Sequence, residues 1–383
     1  MRVVYVDHCA QLSGGEIALL NLLEAMPEVQ PLVLLAEDGP FADRLRTQGI
    51  SVEMMPMPER TRSLRRHRIP AGVGLATVVD SVVYSLRLTR RLRVLRPDLV
   101  HTNSLKAALY GGAAAKLARC PVVWHVRDRI ADDYLPKPAV QLVRALARWL
   151  PDAVIANSRS TLETLQFPYR LSVVVPSPVI YDPVTVQPAR HPAGKSPLRV
   201  GMVGRIAPWK GQHLFLRAFA SAFSEGEEQA VIVGAPLFGE DEVAYEEELR
   251  RLTAQLGIAD RVEFTGFQED VGAQLARMDV LVHASTVPEP FGQVVVEGMM
   301  AGLAVVAPAT GGPAEVVEDG RTGLLYPLGR VEALAAVLRR LAEDGDLRRR
   351  LGAAAREAAK RFTPEEVAPR VMDVYRRVLA RRT

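Results

Sequence analysis

Apolar runs alternate with amphipathic stretches along the first half of the chain. "VVYVD" (3–7), "PLVLLAE" (31–37), "DLVHTN" (98–103), "PVVWHV" (121–126), "DAVIANS" (152–158) and "SVVVPS" (172–177) read as strands. Most are separated by amphipathic stretches such as "GEIALLNLLEAM" and "SLKAALYGGAAAKLA". Continuous apolar strands imply a sheet covered on both faces, and alternation with helices implies parallel βαβ units. Residues 176–197 then hold six prolines without periodicity, which reads as a linker or hinge. The pattern restarts with "LRVGMVG" (198–204), "QAVIVG" (229–234), "RVEFTG" (261–266), "DVLVHAS" (279–285), "LAVVAPA" (303–309) and "GLLYPL" (323–328). The expected fold class is therefore α/β, with two doubly wound Rossmann-like domains facing across a cleft. The expected boundaries are an acceptor-side domain over 1–177, a linker over 178–197 and a ligand domain over 198–363. A terminal helix over 364–383 is free to pack back on the first domain. Sheets of this kind bind ligands at the carboxyl ends of their strands.

Composition leaves this picture intact. A chain of 383 residues with 48% hydrophobic and 24% charged residues has ample core for two domains. The opening Met1-Arg2 followed by a buried strand predicts no signal peptide, and no apolar run is long enough to span a bilayer. Two distant thiols, Cys9 and Cys120, suit a reducing compartment, so the cytoplasm is the expected location. Charge changes the picture more. Residues 1–190 hold 24 Lys and Arg against 17 Asp and Glu, within a chain of net charge +4. The excess sits partly in "RTRSLRRHR" (60–68) and "RLTRRLRVLR" (87–96). Solvated helix faces are one reading. Peripheral attraction to an anionic membrane surface or an acidic acceptor is the other. Nucleic acid is disfavoured, since few aromatics interleave with these arginines.

Three constellations carry chemistry. Gly14-Gly15 follows the first strand and opens a helix, where a backbone can approach a phosphate closely or simply turn. "GRIAPWKG" (204–211) puts Arg205 and Lys210 at the carboxyl end of a strand, where two cations can neutralise a diphosphate. "EPFGQVVVEGMMAG" holds Glu289 and Glu297 eight positions apart in an apolar stretch. A helix starting near Pro290 would separate the two carboxylates by about 12 Å along its axis. That exceeds the ~5–5.5 Å of the acid pair in a retaining glycoside hydrolase, so the acids are expected to serve different groups of one ligand. Asn157 and Ser158 read as helix caps, and Asp344-Gly345-Asp346 as a turn rather than a metal site.

These stretches, in this order and with "FTGF" and "GGPAEVVEDGRTGLLYP" (311–327), resemble the nucleotide-sugar domain of glycosyltransferase family 4. "SGGE" (13–16), "WHVRD" (124–128) and "VIANSRS" (154–160) resemble that family's first domain. The resemblance implies the GT-B architecture and a retaining, metal-independent hexosyltransferase. Its donor is a nucleoside diphosphate sugar, with UDP favoured, and the donor is a substrate rather than a cofactor. The acceptor is a hydroxyl on a polysaccharide, a lipid carrier or a small natural product. Glu289 would contact the transferred sugar, while Phe291 and Gly292 would offer backbone N–H groups to sugar or phosphate. Glu297 would hold the ribose, and Arg205 with Lys210 would stabilise the leaving diphosphate. Gly14 and Gly15 would close over the phosphates. His125, just after an apolar strand, would sit near the donor sugar, or else be a satisfied core histidine. The main chain at Gly266 and Phe267 would border the base.

The sequence departs from the family where "VHAS" puts His283 in place of a proline, a change that can tune donor choice. A catalytically silent nucleotide-sugar-binding subunit of another transferase is the rival reading. A solute receptor and a dinucleotide oxidoreductase fit less well. The first needs an export signal, and the second needs a G-x-G-x-x-G after its first strand.

Overall fold

The computed structural model describes residues 1–58, 75–166, 171–180, 197–237 and 239–381. The arginine cluster at 60–68 and most of the proline-rich segment (181–196) lie outside the described residues. Two compact units emerge: Met1–Pro178 together with Pro364–Thr383, and Val179–Thr363.

The first unit is built on a seven-stranded sheet. Its strands are β1 (Arg2–Asp7), β2 (Gln30–Leu35), β3 (Ser51–Met54), β4 (Leu99–Thr102), β5 (Val122–Val126), β6 (Ala153–Ala156) and β7 (Ser172–Val174). Their order is β3-β2-β1-β4-β5-β6-β7, and every pairing is parallel. Both faces are covered, so β1, β4, β5 and β6 are buried nearly throughout. On one face Tyr5, Val33, Leu99, Val123 and Ile155 pack with the helix Gly14–Glu24 and with the C-terminal helix Pro364–Ala380. Val367, Val371, Val374 and Val378 of that last helix recur at helical spacing and are buried there. Burying side chains of this size contributes about 1.5–3 kcal/mol each, which fixes the helix to this unit. The other face, with Val100, Trp124 and Val154, packs against Leu88, Leu92 and Ala114.

The second unit carries β8 (Arg199–Val203), β9 (Gln229–Val233), β10 (Val262–Gly266), β11 (Val280–Val282), β12 (Ala304–Pro308) and β13 (Leu324–Tyr326). Their order is β10-β9-β8-β11-β12-β13, again wholly parallel. From β8 the chain moves outward to β9 and β10, then returns to β11 on the other side of β8. The gap between β8 and β11 is therefore the topological switch point, where a doubly wound sheet opens a crevice at its carboxyl edge. Among the described residues, twelve strands fall where the apolar runs predict them. The thirteenth, β3, is a four-residue edge strand of sequence SVEM with no continuous apolar run to announce it.

Candidate functional site

Lys210 comes from the turn after β8, and Glu289 from the loop after β11, so the switch point brings them together. Lys210 closes the short 3-10 turn Pro208–Lys210, and its Nζ lies 2.7 Å from Glu289 Oε1. The other carboxylate oxygen, Oε2, is held by His283 Nε2 at 2.6 Å and accepts from Ser285 Oγ at 2.7 Å. Burial alone would raise the Glu289 pKa. The Lys210 charge and the His283 contact outweigh it and hold this carboxyl well below the usual range. The glutamate is thus ionised, oriented and hydrogen-bonded at both oxygens.

The surrounding backbone keeps this geometry. Thr286 N–H donates to Trp209 O at 2.9 Å and ties the Lys210 turn to the Glu289 loop. The Trp209 indole lies under Lys210 Nζ, 4.5 Å from the ring centroid, with Arg205 Cζ at 5.6 Å. Gly312 donates its N–H to Glu289 O at 2.8 Å. A Cβ at Gly312 would stand 2.3 Å from Phe291 Cα, so only glycine lets the 311–312 turn brace the loop.

The helix of the "EPFGQVVVEGMMAG" stretch starts later than the sequence suggests. It runs over Gln293–Met300, with Gly292 at φ 84° as its N-cap. A left-handed residue cannot continue a helix, so Glu289 to Gly292 form a loop. The axial separation of about 12 Å between the acids, which assumed one continuous helix, therefore does not apply. Glu297 lies one turn into the helix and accepts from Gln293 Nε2 at 3.4 Å. Burial raises its pKa, and Gln293 and the Lys210 charge only partly oppose that. Of the two acids, one is held ionised and the other is pushed towards its neutral form.

The other predicted residues of this unit take different places. Arg205 Nε is 3.5 Å from Glu242 Oε1, on the helix Glu240–Gln255. The Phe291 ring is buried against Phe362, with centroids 5.8 Å apart. Gly266 ends β10 at φ 69°, and Phe267 beside it is 58% exposed.

In the first unit Gly14 and Gly15 open the helix that follows β1, and Asn103 Nδ2 donates to Gly15 O at 3.1 Å. His125 lies inside β5 rather than just after it, and its imidazole is buried. Its Nδ1 is 3.2 Å from His101 Nε2, and its Nε2 is buried without a hydrogen-bond partner. Arg127 donates from Nε to Asn103 Oδ1 and from Nη1 to Ser177 Oγ, both at 2.9 Å. Asn103 Nδ2 in turn donates to Asp7 Oδ2 at 2.7 Å. Glu16 accepts from the Ser13 hydroxyl, and burial with the nearby Asp7 charge pushes its pKa up to about 8. Ser158 caps its helix, accepting from Thr161 N–H at 2.9 Å, whereas Asn157, also expected as a cap, lies one residue before it and donates from Nδ2 to Arg127 O at 3.5 Å. Asp344 caps another, so the Asp344-Gly345-Asp346 stretch is a helix start.

Sequence reasoning missed several members of these clusters. Trp209 sits inside a quoted motif, but nothing in the sequence puts its ring under the lysine. Ser285 and His283 alternate at the end of β11, and that alternation was the available signal for a shared target. Asp7 and Glu16 lie close together around the first strand-to-helix turn, and Asn103, 96 residues beyond Asp7, joins them only because β1 and β4 are neighbours in the sheet.

The model for "Glycosyltransferase Family 4" matches residues 13–182, and that for "Glycosyl transferases group 1" matches residues 185–358. A D-inositol 3-phosphate glycosyltransferase of Stackebrandtia nassauensis is 33% identical over 384 residues, covering 91% of this chain and 85% of its own. A GDP-mannose-dependent alpha-mannosyltransferase of Mycobacterium tuberculosis is 31% identical over 409 residues, covering 100% and 98%. Among solved structures, Anabaena HepE in complex with UDP-glucose superposes with a TM-score of 0.84 at 27% identity, covering 98% of this chain and 99% of that one. Two parallel α/β units of this topology, matched over both halves by these models and relatives, have one consistent source: the chain belongs to glycosyltransferase family 4, with the GT-B fold.

Proposed function

We propose that the protein transfers a hexose from a UDP-sugar to an acceptor hydroxyl, with retention at the anomeric carbon and without a metal. The observation that carries this reading is the Lys210–Glu289 pair at the switch point. An ammonium with three donors can keep one on Glu289 and turn the others to a diphosphate. Glu289, ionised and held from behind by His283 and Ser285, is a fixed acceptor for sugar hydroxyls. Glu297 takes the ribose, and the N–H groups at Phe291 and Gly292 face sugar or phosphate at the start of their helix. Arg205 adds a second cation for the diphosphate, and the backbone at Gly266 and Phe267 borders the base.

In the transfer step the bond from the anomeric carbon to the phosphate oxygen breaks, and the bond to the acceptor oxygen forms on the same face. The acceptor proton passes to the leaving phosphate oxygen, whose developing charge Lys210 and Arg205 stabilise. HepE, crystallised with UDP-glucose, favours uridine. The mannosyltransferase relative favours guanosine. A thermal-shift panel of UDP- and GDP-sugars with the purified protein separates them, because at a given concentration the tighter ligand for the folded state raises the melting temperature more. Stabilisation by UDP-glucose but not GDP-mannose supports the reading; the reverse replaces UDP by GDP.

Peripheral contact with an anionic membrane surface belongs to the same reading. Among the described residues no helix is long and apolar enough to cross a membrane. The helix Leu75–Leu95, however, is apolar on two sides. Tyr84, Leu88 and Leu92 face the core, whereas Val78, Val79, Val82, Val83 and Leu86 are each 45–53% exposed. At 3.6 residues per turn, the exposed Arg90 and Arg93 continue the valine face. An exposed apolar stripe running into arginines suits an interface of acyl chains and anionic headgroups.

A further inference from the structure

Tyr5, His101, His125 and Tyr375 form a buried polar line across one face of the first sheet. Tyr5 and His101 are register partners on β1 and β4, and His125 lies one strand further on β5. Alternation along the strands turns all three towards the C-terminal helix, from which Tyr375 comes. Tyr375 Oη is 2.7 Å from His101 Nδ1 and 3.3 Å from Tyr5 Oη. His101 Nε2 is 3.2 Å from His125 Nδ1. Arg127 Nη2 reaches the same Nδ1 at 3.4 Å.

These contacts fix where the protons sit. A guanidinium only donates, so the nitrogen it approaches, His125 Nδ1, carries the lone pair. His101 Nε2, facing that lone pair, is then the N–H. His101 Nδ1 becomes an acceptor, and the single phenolic proton of Tyr375 goes to it at 2.7 Å rather than to the more distant and less basic Tyr5 oxygen. The reverse order would point an N–H of His125 at the Arg127 guanidinium, two donors face to face. Both imidazoles are neutral, as the line requires: burial and the Arg127 charge push the His101 pKa down to about 3 and lower that of His125 as well. What remains is an N–H at His125 Nε2, buried and without a partner.

We propose that Arg127, His101 and Tyr375 are positioning residues that lock His125 as an Nε2–H donor for a ligand oxygen. The inference rests on the reading that His125 meets the ligand, but its core, the locked tautomer, is measurable without one. Nitrogen-15 NMR of histidine-labelled protein should show His125 protonated at Nε2. Tyr375→Phe removes only the hydroxyl and frees the His101 ring, but the Arg127 guanidinium still faces His125 Nδ1, so the double variant Tyr375→Phe with Arg127→Met is the one that should let His125 populate the Nδ1–H form. The same variant should slow hydrolysis of UDP-glucose by roughly tenfold in kcat with little change in KM. A wild-type His125 protonated at Nδ1, or a Tyr375→Phe/Arg127→Met protein with its tautomer unchanged, overturns the relay. His125→Ala separates the two ideas. If it hydrolyses donor normally while the tautomer result stands, the ligand role falls and the relay survives.

Discussion

Lys210 Nζ and Glu289 Oε1 lie 2.7 Å apart, although 79 residues separate them in the chain. They meet because β8 and β11 are neighbours at the switch point of the second sheet. Under the proposed function, Lys210→Ala and Glu289→Gln each lower kcat by about 10²–10³-fold, because each removes a charge preorganised for the transition state. Circular dichroism and melting temperature show whether the fold survives, and near-normal turnover in either variant rejects the assignment.

His283 is the departure from the family pattern, and it sits behind Glu289 rather than in front of it. Removing it takes away part of what holds the carboxylate ionised, since burial alone raises its pKa. The ionised form is needed, so activity is lost as pH falls through the folded-state value. His283→Ala therefore moves the acid limb of the pH–rate profile upward. An acid limb that does not move argues that Lys210 alone keeps Glu289 charged.

Glu16 behaves in the opposite sense. Its folded pKa, pushed up to about 8, lies above the unfolded value, so between about pH 4.5 and 8 the folded state binds the extra proton. Stability from this site is highest at and below the unfolded pKa and falls as pH rises to 8. Glu16→Gln mimics the protonated acid, and it should nearly match wild type at pH 5 and exceed it at pH 8 by on the order of 4 kcal/mol. Urea unfolding at the two pH values measures the difference.

Gly312→Ala places a methyl 2.3 Å from Phe291 Cα and 2.5 Å from Pro290 O. Both obstacles are backbone, so the loop carrying Glu289 has to shift. The expected cost is about 2–4 kcal/mol, with turnover lost beyond what the stability change explains. A variant as stable and active as wild type would show that the loop yields freely.

Val82→Glu tests the exposed valine stripe. Wild-type protein should co-sediment with phosphatidylglycerol-containing vesicles and be released by salt, and the variant should bind at least tenfold more weakly. Equal binding by both proteins removes the helix Leu75–Leu95 from the membrane reading.

The sheets were readable because both are fully covered, so their strands appear as unbroken apolar runs. β3 escaped because an edge strand of four residues needs no such run. Lys210 and Glu289 were readable as strand-end residues, but their contact depends on strand order, which apolar pattern does not encode. The late helix start escaped because proline at 290 suits a first helical turn, while the left-handed backbone at Gly292 has no side-chain signature beyond glycine itself. His125 could be placed on its strand. The line from Tyr375 through His101 that orients it depends on a helix some 250 residues later docking on that face.

That helix, Pro364–Ala380, has a consequence for biosynthesis. The unit built on Met1–Pro178 lacks part of its hydrophobic interior until Pro364–Ala380 is translated, so the unit between them can complete its own core sooner. Nascent chains stalled short of Pro364 would hold the apolar face around Tyr5, His101 and Val123 open to solvent and to chaperones. Carboxyl-terminal fusions and truncations therefore act on the amino-terminal half of this molecule.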